Sequence, residues 1–267
     1  LHGGSIRLRW GCCKSFLYQG LPVNNKKNAL LKLAICGALA TAPIAQAQAA
    51  ELDWSATLYL WAPSFSTDLV NDAPPVEGES DSEFGDIIDK IDGAFMGHLE
   101  TQGDDFGAFA DVIYLSLADN KDFDRFSTDS SLDASVFELA AVWSPGEKRN
   151  QGFEVIGGLR HIIVDFSADF DPVNPELSNA SVGTDQSYSD LMVGGRYTGS
   201  FNEHWGYTLR ADGSWGDTEG TMNLVAGIDY KTNSGAWLLG YRYMTAELGD
   251  DNTDIELTLN GPVFGYA

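Results

Sequence analysis

The sequence predicts an all-β fold: an antiparallel transmembrane β-barrel of about ten strands, with eight strands as the alternative. Three observations lead to this prediction. Many segments alternate apolar and polar residues, no apolar run after residue 50 is long enough for a membrane-spanning helix, and aromatic residues lie at both ends of the alternating segments. A soluble β-sandwich is the alternative, but sandwich strands do not need Tyr or Trp at both ends.

The clearest alternation lies between residues 205 and 243. Three runs, YTLRADGSW, LVAGIDY and WLLGYRY, are separated by short turn sequences. In each run one face is apolar or aromatic, and the other carries Arg210, Asp212, Asp229 or Arg242 beside small residues. Alternate side chains of a strand point to opposite faces. The pattern therefore predicts lipid outside the barrel and a polar lumen inside it.

The N-terminal segment is predicted to lie outside the barrel. Residues 23–49 have a basic start, an apolar middle and small residues near the end, which is the pattern of a secretory signal peptide. Residues 1–22 fit neither a signal nor a fold and are predicted to be a non-native upstream extension. The barrel is therefore assigned to residues 50–267.

Composition excludes several classes of function for the barrel segment. All three cysteines precede residue 50, so neither disulfides nor cysteine metal sites are expected. Six of the 16 Lys and Arg residues also precede it, but none of the 39 acidic residues does, which leaves a net charge of −29. Such a charge repels nucleic acid, so no nucleic-acid partner is expected. The export signal and the barrel pattern together predict the outer membrane of a Gram-negative cell.

Ten segments are predicted as strands, each long enough for the roughly 9 to 11 residues that a tilted strand needs to cross a bilayer. They are residues 52–62, 93–102, 106–118, 131–144, 152–168, 187–200, 205–216, 221–231, 236–248 and 254–266. Tight turn sequences such as 103–105 and 202–204 alternate with long acidic connections at 63–92, 119–130 and 169–186. Short periplasmic turns and long outer loops are typical of outer-membrane barrels, and an even strand count places both termini in the periplasm.

Aromatic residues near the strand ends predict two interfacial girdles. Those at the turn ends are Trp54, Trp143, Phe153, Tyr207, Tyr230 and Trp237, and those at the opposite ends are Trp61, Tyr114, Phe166, Trp215 and Tyr243. Most share the parity of the apolar face, with Trp61 as an exception. Girdles at both interfaces are expected of a membrane barrel.

Three segments carry a resemblance to known proteins. They are LYLWAPS at 58–64, FGDIIDKIDGAFMGHLE at 84–100 and GAFADVIYLSL at 107–117. In these segments the chain resembles a family of uncharacterised Gram-negative outer-membrane β-barrel proteins, broadly similar to small OmpA-like and OmpW-like barrels. The resemblance implies fold and location but no activity. It also implies lipid and lipopolysaccharide as surroundings, and the barrel-assembly machinery as a partner during biogenesis.

Charged residues on the inward parity predict a network inside the lumen. The candidate cations are Arg160, Arg196, Arg210 and Arg242, and the candidate partners are Glu100, Asp111, Glu138, Glu154, Asp190 and Asp212. Buried charges are costly unless they are paired, and a ten-stranded barrel is only slightly wider than an eight-stranded one that side chains fill. We therefore interpret the network as a plug, which favours a structural or surface-interaction role. A narrow channel for ions or small solutes is the alternative.

An outer-leaflet enzyme that modifies lipid or cleaves protein is the third hypothesis. It would need a His beside a Ser or Asp at the outer rim. His98 shares a face with Glu100, His161 points to the lipid side and His204 lies in a turn. None of them belongs to a recognisable catalytic motif, so the sequence predicts no enzymatic activity and no catalytic residue.

Acidic residues crowd the predicted outer loops, most of all Glu77, Glu79, Asp81 and Glu83. Carboxylate oxygens are the ligands that Ca²⁺ and Mg²⁺ prefer, although this spacing matches no EF-hand loop. Solvated loops are the main interpretation, weak divalent-cation binding is the alternative, and no other cofactor is expected. Just after these acids, Ile87, Ile88 and Ile91 are spaced as on a helix, which predicts a short helix over the barrel mouth.

Overall fold

The computed structural model describes residues 52–72, 75–122, 126–146, 151–172, 179–250 and 253–267. The predicted signal peptide and upstream extension lie outside the described residues, so both stay predictions. The described regular structure is β-strand apart from one short helical segment. No helix within these ranges is long and apolar enough to cross a membrane.

The described residues contain twelve strands, which form one antiparallel sheet. They are β1 (Asp53–Trp61), β2 (Ser64–Asp72), β3 (Pro75–Ser82), β4 (Ile91–Gln102), β5 (Phe106–Asp122), β6 (Phe126–Trp143), β7 (Gly152–Pro172), β8 (Ala180–Ser200), β9 (Trp205–Gly216), β10 (Gly220–Thr232), β11 (Gly235–Asp250) and β12 (Thr253–Tyr266). From β4 to β12 each strand pairs with the next strand along the chain.

The sheet closes into a barrel because β1 pairs on both sides. Leu58 is the register partner of Gly97 on β4 and of Tyr266 on β12. β1 and β2 continue one another, because both pair with β12 in a single register and the N–H of Ala62 donates to the carbonyl of Pro262 at 3.0 Å. Counted in this way, ten strands form the closed barrel, which confirms the predicted number and excludes the alternative of eight.

At one end of the barrel the fully described connections, 103–105, 201–204 and 233–234, are tight turns, and this end is termed the turn end. An apolar belt encircles the wall next to it: the side chains of Leu139, Leu159 and Leu191 face outward and are 62%, 53% and 70% exposed. The exposed aromatic residues at the turn-end margin include Trp54, Trp143, Phe153, Trp205, Tyr230 and Trp237. A continuous exposed apolar belt of this kind is suited to lipid.

The opposite margin of the belt differs from the predicted girdle. Tyr114 and Trp215 are exposed there, as predicted. Trp61, the exception noted in the sequence, is only 5% exposed and lies inside the lumen. Phe166 has the parity of buried Arg160 on β7 and therefore also faces inward, contrary to the predicted girdle.

Several strands continue well beyond the belt, at what is termed the extended end. β7 and β8 have 21 residues each, about twice the length that a tilted strand needs to cross a bilayer. Much of 119–130 and 169–186, predicted as loops, is therefore strand. Their acidic residues suggested loops, but Asp129, Asp169, Asp171 and Asp185 occupy the outward, water-facing positions of strands beyond the belt, whereas Asp119 has the inward parity of β5.

The first long connection is also more ordered than predicted. β2 and β3 form a hairpin, and the segment after it contains helix α1 (Phe84–Ile87) and one 3₁₀ turn (Ile88–Lys90). The predicted short helix is thus present. The ammonium group of Lys90 lies 3.1 Å from the carboxylate of Asp119, which joins this segment to β5.

Candidate functional site

Four charged side chains form a row across neighbouring strands in the middle of the lumen. Asp111 on β5, Glu138 on β6, Arg160 on β7 and Asp190 on β8 are successive register partners. All four are at most 8% exposed. Strand alternation puts them on one face, and barrel closure turns that face inward.

Glu138 is the centre of the network because it contacts three arginines. It accepts hydrogen bonds from Nη2 of Arg160 at 2.7 Å, from Nη2 of Arg210 at 2.7 Å and from Nη2 of Arg242 at 3.4 Å. The arginines lie on β7, β9 and β11. One carboxylate thus links four strands across the lumen.

Asp212 is a second bridging carboxylate. It accepts a short hydrogen bond from Arg160, one from Nε of Arg210 at 2.6 Å, and one from the amide of Asn223 at 2.8 Å. The carbonyl oxygen of Asn223 in turn accepts from Nε of Arg242 at 2.8 Å. Three arginines, two carboxylates and one amide therefore form a connected group, termed the ionic layer. Charged hydrogen bonds of this kind are the strong ones.

A smaller ionic group lies towards the turn end. Arg196 donates from Nη1 to Glu100 at 2.8 Å and from Nε to Glu154 at 2.6 Å. Ser144 donates to the other oxygen of Glu154 at 2.8 Å, and the side-chain amide of Gln102 donates to Ser144 at 2.9 Å. The planar guanidinium thereby bridges two carboxylates from different strands.

His98 joins the two groups. Its Nδ1 lies 3.0 Å from Asp111, and its Nε2 lies 3.2 Å from Glu100. A neutral imidazole can donate from only one of its nitrogens, so the protonated ring fits both contacts. Two interpretations of His98 follow from the sequence, a lumen histidine bonded within the polar network and, less favoured, a catalytic residue; its contacts with two carboxylates fit the first.

Two of the predicted carboxylates contact few or no arginines. Asp111 accepts from the Tyr59 hydroxyl at 2.7 Å and lies 4.0 Å from Nη1 of Arg242. Asp190 accepts instead from the hydroxyls of Ser214 and Thr218, at 2.9 and 2.6 Å. Asp190 therefore holds the β9–β10 turn against the wall.

Apolar layers lie on both sides of the ionic layer. The predicted polar lumen did not include them. On one side lie Phe109, Ala140, Val142, Ile156 and Met192, and on the other Trp61, Met96, Ile113, Ile162 and Met244. The guanidinium of Arg210 lies 4.9 Å from the ring centroid of Phe109, and that of Arg242 lies 5.0 Å from the ring of Trp61. These cation–π contacts join the charges to the apolar layers.

Sequence reasoning missed the uncharged members of the network. Tyr59, Gln102, Ser144, Ser214, Thr221 and Asn223 are all hydrogen-bonded to its charged residues or to one another. Each has the inward parity of its strand, so that parity was the available signal. A polar cavity of about 280 Å³ adjoins this region at the turn end, with Glu100 and Arg196 in its wall.

The predicted metal ligands lie around the end of β3. Asp81 and Glu83 are exposed, and Glu83 caps α1. Glu77 and Glu79 lie within β3. Within the described ranges no group of three or more His, Cys, Asp or Glu residues is arranged to hold a metal ion. Divalent-cation binding by these four residues stays a prediction.

One histidine on the outer face has a serine partner that sequence spacing did not reveal. Nδ1 of His161 lies 2.9 Å from the hydroxyl oxygen of Ser189 on the neighbouring strand. The backbone N–H of Ser189 donates to Asp217 at 2.9 Å. This pair has the distance of a nucleophile and a base, although Ser189 and His161 are far apart in the chain.

No protein-family model and no curated relative matches the sequence. Among solved structures, the translocator domain of the autotransporter NalP from Neisseria meningitidis is 13% identical, with a TM-score of 0.31 and coverage of 90% of this chain and 94% of that one. Ail, the attachment invasion locus protein of Yersinia pestis, crystallised with the heparin analogue sucrose octasulfate, is 10% identical, with a TM-score of 0.29 and coverage of 79% and 97%. The toluene transporter TodX of Pseudomonas putida is 10% identical, with a TM-score of 0.27 and coverage of 79% and 88%.

TM-scores this low support neither a shared function nor a detailed superposition. The fold of this chain rests on its own closed register and on its exposed apolar belt. The chain has the architecture of an outer-membrane β-barrel, with ten strands around a lumen that contains a buried ionic layer.

Proposed function

We propose that the chain is a closed outer-membrane barrel with a structural or surface-interaction role, whose lumen is plugged by the ionic layer. The observation that carries this proposal is the contact of Glu138 with arginines from β7, β9 and β11. The contact with Arg160 joins register partners on adjacent strands, whereas the contacts with Arg210 and Arg242 cross the lumen. Apolar layers on both sides of the charges make a continuous hydrated path more costly still.

We propose further that the turn end lies in the periplasm and the extended end outside the cell, surrounded by lipid and lipopolysaccharide. The start of β1 and the end of β12 both lie at the turn end. Short turns on the periplasmic side and longer structure outside are usual for such barrels.

Cysteine labelling tests this orientation, because the chain contains no Cys after residue 50. Ser181→Cys places a thiol at the extended end, and Asn202→Cys places one at the turn end. In intact cells a membrane-impermeant maleimide is expected to label Ser181→Cys only, and Asn202→Cys only after the outer membrane is disrupted. The reverse pattern would overturn the orientation, and recovery of the protein in the soluble periplasm would overturn the barrel's location.

A narrow channel is the second candidate, and the 280 Å³ polar cavity at the turn end favours it, because ions could reach the Arg196–Glu100 pair from there. Planar-bilayer recordings separate the candidates. The unmodified protein is expected to give no unitary current, whereas a variant with Glu138, Arg160 and Arg210 all changed to Ser is expected to conduct. Unitary steps from the unmodified protein would favour the channel.

A further inference from the structure

The alternation of apolar and polar residues is reversed at the extended end. Within the belt the outward residues of β7 are apolar apart from His161, and the lumen holds Arg160. Beyond the belt the outward residues are polar or acidic: Asp133 and Ser131 on β6, Asp165 and Ser167 on β7, Asp185 and Ser187 on β8, Glu247 on β11, and Glu256 on β12. Hydrogen bonds between Ser131 and Ser167 and between Tyr114 and Asp133 lie on this outer face.

The inward residues of the same segments are mainly apolar. On β5 to β8 they include Leu115, Leu117, Leu132, Ala134, Val164 and Phe166, and on β11, β12 and β2 they include Ala246, Leu248, Ile255, Leu257 and Phe65. Two walls, one of β5–β7 with Val182 of β8 and one of β11, β12 and the start of β2, therefore turn mainly apolar faces towards the barrel axis, although Thr184 and Gln186 of β8 are polar. The space between them is termed the cup.

The described side chains do not fill the cup. Phe166 and Val182 face inward, yet they are 38% and 60% exposed. The floor, in contrast, is closed by the buried cluster of Trp61, Met96 and Ile162 with its neighbours. From the level of Ile162 to that of Ala168 the cup is about 14 Å deep, for six residues of a strand tilted by about 45°.

The floor also contains a donor without an acceptor. Nε1 of Trp61 is buried and has no hydrogen-bond partner among the described residues. A buried, unpaired N–H group costs free energy that an acceptor from a bound molecule would recover. This observation is independent of the apolar walls. It indicates that a molecule bound in the cup carries one hydrogen-bond acceptor.

The wall of the cup is lower at the β9–β10 turn than elsewhere. β9 ends at Gly216 and β10 begins at Gly220, so neither strand continues between the two walls. Exposed Trp215 lies beside this turn, at the margin of the apolar belt. The turn itself carries exposed Asp217 and Glu219. A molecule that enters from the lipid surface on this side therefore passes one short acidic turn rather than the tall acidic outer faces of the walls.

We propose that the cup binds a small, uncharged apolar molecule that carries one hydrogen-bond acceptor, with the acceptor at Trp61. From the floor to the level of Phe166 the inward residues of the walls carry no charge among the described residues, and inward charges such as Asp119 and Lys121 lie only nearer the rim. An ion deep in the cup would therefore lose its hydration without gaining a partner. The ionic layer closes the cup below, so the site holds a ligand rather than passing it through the lumen.

Nile red, an uncharged dye with a carbonyl acceptor, tests the proposal with protein in nanodiscs and empty nanodiscs as the blank. We expect saturable binding at one site per barrel. Val182→Asp puts a charge on the inward face and is expected to weaken binding about tenfold or more, the equivalent of one buried aliphatic side chain. Ser181→Asp adds the same charge one residue away on the outward face and is expected to leave affinity unchanged.

Trp61→Phe keeps the aromatic floor but removes the N–H group. We expect a loss of affinity of about two- to tenfold, the usual range for one hydrogen bond. Heat-modifiable migration on gels shows that each variant is folded. Binding no greater than in empty nanodiscs, or equal losses in Val182→Asp and Ser181→Asp, would overturn the proposal. So would a dimer that Val182→Asp converts to monomer, because the cup would then be an interface between two copies.

Discussion

At the scale of single residues, strand alternation explains why the ten charged side chains share the inward face. Which carboxylate meets which arginine could not be predicted from the sequence. Arg242 and Glu138 are 104 residues apart, and their contact depends on the tilt and stagger of the strands, which follow from closure. The hydroxyl partners of Asp190 were missed for the same reason.

Arg160→Leu is expected to lower the free energy of unfolding by about 3 to 5 kcal/mol, because buried Glu138 and Asp212 lose one of the two guanidinium groups that they share and then share only Arg210. Urea titration in lipid vesicles measures the change. Lys231→Leu removes the same charge from an exposed site and serves as the control. Equal stability of the two variants would show that the ionic layer does not hold the barrel together.

The His161–Ser189 pair is expected to be catalytically inactive. The described residues place no carboxylate on the second ring nitrogen of His161, and the backbone N–H of Ser189, which could stabilise an oxyanion, already donates to Asp217. A fluorophosphonate probe is therefore expected to label the unmodified protein and Ser189→Ala equally weakly. Strong labelling that Ser189→Ala abolishes would establish the enzyme hypothesis.

At the scale of elements, the sequence predicted the membrane-spanning parts of the strands more accurately than their extensions beyond the belt. A run such as SADFDP after Phe166 contains three polar or acidic residues, so composition alone favours a loop. In the structure these residues alternate with Ala168 and Phe170, and the run continues β7. The β2–β3 hairpin was missed because the acidic residues of β3 alternate with Gly78, Ser80 and Ser82 rather than with apolar residues, so the segment has no apolar face to indicate a strand.

The attachment of α1 to β5 is expected to depend on pH. The Lys90 ammonium beside Asp119, with that of Lys121, holds the pKa of the Asp119 carboxyl below its usual range. Because this pKa is depressed in the folded protein, the stabilisation is present above the usual Asp value of about 3.9 and is lost as pH falls through the lower folded value.

A spin label at exposed Ile88 measures this attachment. In the unmodified background the label is expected to gain mobility only in acid. With Lys90→Met it should be mobile at neutral pH as well. Mobility that is independent of both pH and Lys90 would show that the ion pair does not anchor the helical segment.

At the scale of the whole molecule, negative charge dominates the extended end. Repulsion between its carboxylates should be relieved by Ca²⁺ more than by Na⁺ of equal ionic strength, because screening alone does not distinguish the two ions. Millimolar Ca²⁺ is therefore expected to raise the thermal midpoint. Changing Glu77, Glu79, Asp81 and Glu83 to their amides should reduce the increase. If Na⁺ performs equally well, the acidic residues are only solvated.

The reversed alternation also determines how deeply the barrel lies in the bilayer. On β7 the lipid-facing stretch runs from Phe153 to Ile163, and the next outward residue is Asp165. Ten steps of about 3.4 Å, tilted by about 45°, span about 24 Å, close to the roughly 25 Å apolar band of outer-membrane barrels. A thicker bilayer would have to thin around the protein, because immersing the carboxylates is costlier than compressing lipid chains. The height of the lipid-facing stretch therefore determines the local hydrocarbon thickness of the membrane around the barrel.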